Sequence, residues 1–226
     1  VILIAIDGPA GAGKSTVAAA LAARLGLDRL DTGAMYRAIT LAAQRAGVDP
    51  GDGTALGKLL AGTSIDVGER VLLDGTDVTS EIRSAEVTAT VSQVSAHSEV
   101  RQELVARQRA WAEERGGAGV VEGRDIGSVV FPDATLKVYL TASTTERARR
   151  RADQEGQTAP ATGVVAAELA ARDALDSSRS ASPLAIASGA HVIDSTVSSL
   201  DETVDEVLTL LRNSGGTGSE VPACTP

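Results

Sequence analysis

The stretch Val1-Ile2-Leu3-Ile4-Ala5-Ile6-Asp7-Gly8-Pro9-Ala10-Gly11-Ala12-Gly13-Lys14-Ser15-Thr16 decides the fold class. Its first six residues form an unbroken apolar run, the mark of a strand buried on both faces and hence of a parallel sheet. Gly8 to Ser15 fits the phosphate-loop pattern G-x-x-x-x-G-K-[ST]. The segment from about Ser15 to Leu25, closed by Gly26, reads as a helix. Glycines in this order let successive backbone N–H groups turn inward, and the helix N-terminus adds a positive partial charge. Gly8, Pro9, Ala10, Gly11, Ala12, Gly13, Lys14, Ser15 and Thr16 are therefore expected to cradle a nucleoside triphosphate. Lys14 is expected to reach the β- and γ-phosphates and Ser15 to ligate Mg²⁺, with Thr16 the second choice.

Outward from this loop, strands are expected at Leu27 to Asp31, Gly119 to Glu122, Leu136 to Thr141 and His191 to Asp194. Helices are expected at Ala34 to Ala46 and Thr54 to Ala61. Strands interleaved with helices indicate an α/β domain with crossover connections. Two regions break the rhythm. Between Ser64 and Thr79 short alternating pieces surround Asp74-Gly75, a hairpin signal that predicts a small antiparallel insertion. Gln154 to Gly163 is polar, carries Gly156, Pro160 and Gly163, and reads as a mobile flap. Ser84 and Ser98 are expected to cap two helices, the second running to about Arg115. Ser199 with Glu202 is a capping box before an amphipathic helix that reaches Arg212. Asn213 to Pro226 reads as a disordered tail.

Composition excludes several functions. The 226 residues suit one sizeable domain. Aromatic residues make up 2% and the formal charge is −9, so neither stacking platforms for single-stranded nucleic acid nor a surface for polyanions is expected. The single cysteine, Cys224, and two separated histidines, His97 and His191, build no metal cluster. No apolar run approaches the ~20 residues needed to cross a bilayer; with no signal-peptide layout at the N-terminus, the cytoplasm is expected. A guanine-specific switch would need an Asn-Lys-x-Asp motif, and the one asparagine is Asn213. A phosphotransferase instead needs arginines facing the phosphate loop. Arginine supplies 18 of the 21 cationic side chains, and candidates recur at the expected C-terminal ends of strands, where such sheets form their ligand crevice.

The segments Asp31-Thr32-Gly33-Ala34-Met35-Tyr36-Arg37, Ser92-Gln93-Val94, Arg101, Arg107-Gln108-Arg109 and Gly123-Arg124-Asp125-Ile126-Gly127, followed by Arg172-Asp173, Asp176, Arg179 and Asp194-Ser195-Thr196, resemble the bacterial cytidylate kinases. The resemblance runs in order from Ile2 to about Leu211. It implies transfer of the ATP γ-phosphoryl group to CMP or dCMP, with ATP and Mg²⁺ as cofactors. It also implies a three-layer P-loop α/β fold with a central parallel sheet of about five strands, a small mixed insertion that binds the monophosphate, and a mobile lid. The expected divisions are 1–62, 98–145 and 172–212 for the core, 63–97 for the insertion, 146–171 for the lid and 213–226 for the tail. A monomer is expected, acting on small molecules, with no nucleic-acid polymer and no membrane as partner.

Site roles follow from the same resemblance. Arg37 and Arg124 are expected to hold the acceptor phosphate, and Thr32 and Tyr36 to line its pocket. Cytosine offers an N4 donor beside N3 and O2 acceptors, so Asp125 and Ser92 suit N4 and Arg101 suits N3 or O2. Asp176 and Arg179 are expected at the pentose and phosphate; spacing alone also reads them as an intrahelical ion pair, and Asp125 as a structural partner of Arg124. Arg147 and Arg151, one helical turn apart, and Arg172 are expected to close over the transferring phosphate. Departures from the family pattern are Glu122, where aspartate is common, Ser177 and Ser178 in place of basic or amide-bearing residues, and Ser15 where some relatives have glycine. Two other readings stay open here: another P-loop kinase acting on TMP, AMP or shikimate, and a nucleotide-binding regulatory module.

Overall fold

A computed structural model describes residues 1–154, 162–179 and 182–214. The central sheet starts with β1 (Leu3–Asp7), whose apolar residues are all buried. Ile4 and Ile6 join one core cluster and Leu3 and Ala5 the other, the period-two alternation that buries both faces of a strand. Around it lie β2 (Arg29–Asp31), β6 (Gly119–Glu122), β7 (Leu136–Thr141) and β8 (His191–Asp194), in the order β2-β6-β1-β7-β8. Every pairing is parallel, with Ile6 opposite Glu122 on one side and Val138 on the other.

Helices cover both faces, giving three layers. On one side α1 (Lys14–Leu25) sets Val17, Ala18 and Leu21 against the sheet, and α8 (Leu200–Asn213) adds Val204, Val207 and Leu211. On the other stand α2 (Thr32–Ala46), α3 (Gly53–Ala61), α4 (Ala85–Val94) and α5 (Ser98–Glu113). The small sheet β3 (Ile65–Val67), β4 (Val71–Leu73) and β5 (Thr76–Asp77) is antiparallel throughout, and Asp74 and Gly75 at its β4–β5 turn take positive φ. α6 (Thr144–Gln154) and α7 (Thr162–Ser178) lie against each other. Between them falls most of the expected flap, outside the described residues.

Several details depart from expectation: β2 starts at Arg29 rather than Leu27, and α2 starts at Thr32 rather than Ala34. His97, not Ser98, occupies the N-cap of α5, because Ser98 Oγ hydrogen-bonds the Glu99 carboxylate while the His97 ring donates from Nε2 to Pro50 O at 2.8 Å. Asn213 closes α8 rather than opening a tail, since Ser214 N still donates to Leu210 O at 2.9 Å; the remainder of the expected tail, from 215 on, lies outside the described residues. Ile126–Val130 forms one π-helical turn, with Phe131 N donating to Ile126 O at 2.7 Å. Such turns recur at functional sites. Ser84 caps α4, and the Ser199–Glu202 capping box is present.

Candidate active site

The C-terminal ends of β1, β2 and β6 open into one cavity of about 550 Å³. The phosphate loop forms one wall. Gly8 has φ +147°, and a Cβ there would lie 2.0 Å from Leu140 O; a Cβ on Gly11 would lie 2.9 Å from Arg147 O. Side chains are thus excluded where the loop meets β7 and α6. Lys14 is buried, and its Nζ donates to Pro9 O at 2.8 Å. Burial, then the charge of Arg124, push its ammonium below the usual lysine range. An incoming polyphosphate would push it back. Ser15 Oγ donates to Glu122 Oε2 at 2.7 Å, and Glu122 Oε1 accepts from Arg29 Nη1 at 3.1 Å. Burial and the neighbouring Asp31 raise the Glu122 carboxyl above its usual value.

The cavity lining as a whole is cationic. Ten lining side chains are Lys or Arg and six are Asp or Glu, in a chain of formal charge −9. This local excess marks a site for anions. Arg37, reaching in from α2, donates to Ile82 O at 3.0 Å and Thr88 Oγ1 at 2.9 Å. Burial and the charges of Arg172, Arg151 and Arg83 push it down to about 9. Arg172 is pushed down to about 10 by burial and Arg124, and its Nε is buried without a hydrogen-bond partner. Phosphate oxygens would relieve both effects.

Arg124 bridges three parts of the site. Its Nε donates to Asp176 Oδ2 at 2.9 Å and its Nη1 to Gly8 O at 2.9 Å. Asp125 pairs with Arg101 instead of Arg124, both side chains almost fully buried. Arg101 Nη1 also donates to Ser95 O at 3.3 Å, its Nε lacks a partner, and its guanidinium sits 5.5 Å from the Tyr36 ring centre. An acceptor and a cationic donor therefore stand side by side. Ser92 lines the same cavity. The Thr32 hydroxyl, by contrast, is committed to Glu122 O at 2.7 Å. Arg179 comes in from the end of α7, donating from Nε to Asp176 O at 3.2 Å and from Nη1 to Ser95 Oγ at 3.3 Å.

Arg151 faces the cavity, whereas Arg147 is not among its lining residues. Arg147 points beneath the phosphate loop. It pairs with Asp173 and donates from Nη1 to Ala10 O at 3.1 Å and from Nε to Ala142 O at 3.2 Å. Asp173 Oδ1 accepts Ala10 N–H at 3.1 Å, so the pair grips both ends of one residue of the loop. Among the lining residues outside the reading of site residues are Arg83, Ser95, Arg150 and Ser195. Arg150 donates to Ser195 O at 2.6 Å and to Ala12 O at 3.3 Å. Its place in the run Glu146 to Arg151 was visible, but which arginine turns inward depends on the packing of α6.

A family model described as cytidylate kinase matches residues 4–213. The cytidylate kinase of Mycobacterium leprae (strain Br4923) is 49% identical over 218 residues, covering 95% of this chain and 97% of that protein. The bifunctional pantoate ligase/cytidylate kinase of Parasynechococcus marenigrum (strain WH8102) is also 49% identical over 93% of this chain, which spans only 43% of that protein's length. An uncharacterized protein from Eubacterium ventriosum ATCC 27560, known from its crystal structure, shares the fold alone, with a TM-score of 0.55 at 12% identity over 94% of this chain and 98% of its own. With a match that takes in the loop, the arginines lining the cavity and α8, the chain belongs to the cytidylate kinase family.

Proposed function

We propose that this protein transfers the γ-phosphoryl group of ATP to CMP and dCMP, yielding ADP with CDP or dCDP. The observation that carries this reading is the buried Arg101–Asp125 pair standing in the same cavity as the phosphate loop. Donor phosphates lie on the loop amides and Lys14. The acceptor phosphate lies among Arg37, Arg124 and Arg172, with Tyr36 and Thr32 shaping its pocket. Cytosine meets Asp125 and Ser92 through N4 and Arg101 through N3 or O2; Asp176 and Arg179 hold the pentose side. Residues 63–97 serve as the acceptor-binding insertion. Residues 146–171 serve as the lid, with Arg151 turned toward the phosphates and Arg147 holding the lid arm to Ala10.

Phosphoryl transfer of this kind depends on alignment and charge neutralisation more than on a strong base. The Ser15 hydroxyl beside the Glu122 carboxylate is a hard-oxygen set suited to Mg²⁺. When bound, that ion supplies charge neutralisation at the β- and γ-phosphates. The protein's own part is to hold two polyanions end to end and to exclude water. We place the enzyme in the cytoplasm as a monomer acting on free nucleotides; among the described residues no helix is long and apolar enough to cross a membrane.

An acceptor panel with ATP and magnesium tests the reading. CDP and dCDP should be the main products; turnover of AMP or TMP without CMP activity, or ATP turnover at full rate without any acceptor, overturns it. Uracil places an acceptor where cytosine has a donor, leaving a desolvated Asp125 unpaired. Asp125→Ala should therefore lower the CMP-to-UMP preference by about a hundredfold and change the KM for ATP little, as steady-state kinetics with both acceptors would show.

A further inference from the structure

Asp7 ends β1 immediately ahead of the phosphate loop and is 3% exposed, yet it is not among the residues lining the cavity. Both its oxygens are engaged: Oδ1 accepts Ile126 N–H and Oδ2 accepts Gly127 N–H, each at 2.7 Å. These amides open the π-helical turn directly after Arg124 and Asp125, and N–H groups at the start of a helical turn have no partner within it. Two backbone bonds extend the seam, from Gly123 N to Ile6 O at 2.9 Å and from Arg124 Nη1 to Gly8 O at 2.9 Å. The segment Ile6 to Gly8 is thereby laced to the segment Gly123 to Gly127 on both sides of the two acceptor-reading residues.

We propose that Asp7 is a positioning residue: its carboxylate, by gripping Ile126 and Gly127, fixes the turn that carries Arg124 and Asp125 in register with the phosphate loop, and so sets both acceptor alignment and cytosine selectivity. This rests on the assignment of Arg124 and Asp125 to the acceptor pocket. An ionised carboxylate accepts from both amides at full strength; an amide puts an NH2 donor in place of one oxygen, and a protonated acid keeps only a weaker acceptor there. Retaining a buried acid here is costly, and burial raises its pKa to about 6 despite the two N–H groups. The charged and titratable groups facing it are Asp125 on the turn, Lys14 from α1 and Tyr139 from β7.

The test compares Asp7→Asn with wild type and with Asp125→Ala, using ATP as donor and CMP or UMP as acceptor. Asp7→Asn should raise the KM for CMP by about tenfold and lower the CMP-to-UMP preference by about fivefold or more, with the KM for ATP within about twofold. An unchanged preference, or a KM for ATP raised as much as that for CMP, overturns the inference. If Asp125→Ala shifts the preference and Asp7→Asn does not, Asp7 alone is rejected; if neither does, the pocket assignment falls and the inference with it. Should Asp7→Asn fail to fold, the wild-type protein supplies the answer. The ratio of kcat/KM for CMP to that for UMP cancels the phosphate ionisation the two acceptors share. It should fall severalfold between about pH 7.5 and about pH 5.5 as Asp7 takes up a proton near its pKa of about 6. A flat ratio across that window contradicts the proposal.

Discussion

Replacing Lys14 with alanine is expected to lower kcat by about a thousandfold while CMP binds within about threefold of wild type. The ammonium is buried at the floor of the loop and anchored by Pro9 O, so it is pre-aimed and reorganises little when phosphate arrives. Preorganised charge of this kind acts on the transition state, where charge spreads over the transferring oxygens. The proposed acceptor residues do not use Lys14 for their own bonds: Arg101 pairs with Asp125, and Arg37 is held by Ile82 O and Thr88. Single-turnover kinetics and a calorimetric CMP titration separate the two effects. Wild-type turnover in the variant contradicts the donor assignment.

Arg124→Ala should cost about a thousandfold in kcat/KM for CMP, with the KM for ATP changed by less than about tenfold. Three functions are lost together. The guanidinium is the proposed contact for the acceptor phosphate, it ties the turn to Gly8 O, and it pairs with Asp176, whose carboxylate would remain nearly buried. Lysine should rescue little, because a single ammonium cannot satisfy Gly8 O and Asp176 in the same planar fork. Steady-state kinetics with each substrate varied in turn checks this; an unchanged kcat/KM for CMP contradicts it.

The phosphate loop, the strands β6, β7 and β8, and the Ser199–Glu202 box were legible because each is a local pattern. An apolar run, a glycine spacing or a cap is complete within a few residues. The residues expected at the acceptor came from resemblance and line one cavity, but their partners could not be read from sequence. Asp125 reads from sequence as a neighbour for Arg124, but the turn after β6 sends it to Arg101 on α5 and leaves Arg124 for Asp176 on α7. Arg147 and Arg151 look equivalent one helical turn apart, yet only tertiary packing turns Arg147 under Ala10 and Arg151 into the cavity. Asp7 reads as the last residue of a strand; its bonds reach Ile126 and Gly127 more than a hundred positions away. No periodicity registers pairings of that separation. The π-helical turn likewise follows from those contacts rather than from its own composition.

Donor and acceptor nucleotides are expected to meet phosphate to phosphate within one cavity. Inhibition by adenosine and cytidine joined through a five-phosphate chain tests it most directly, since one molecule spanning both subsites gains the advantage of a tethered second binding event. The compound should be competitive against ATP and against CMP alike, and bind at least about a hundredfold more tightly than CMP. Competition against ATP alone, with CMP still binding to the inhibited protein, would contradict the account.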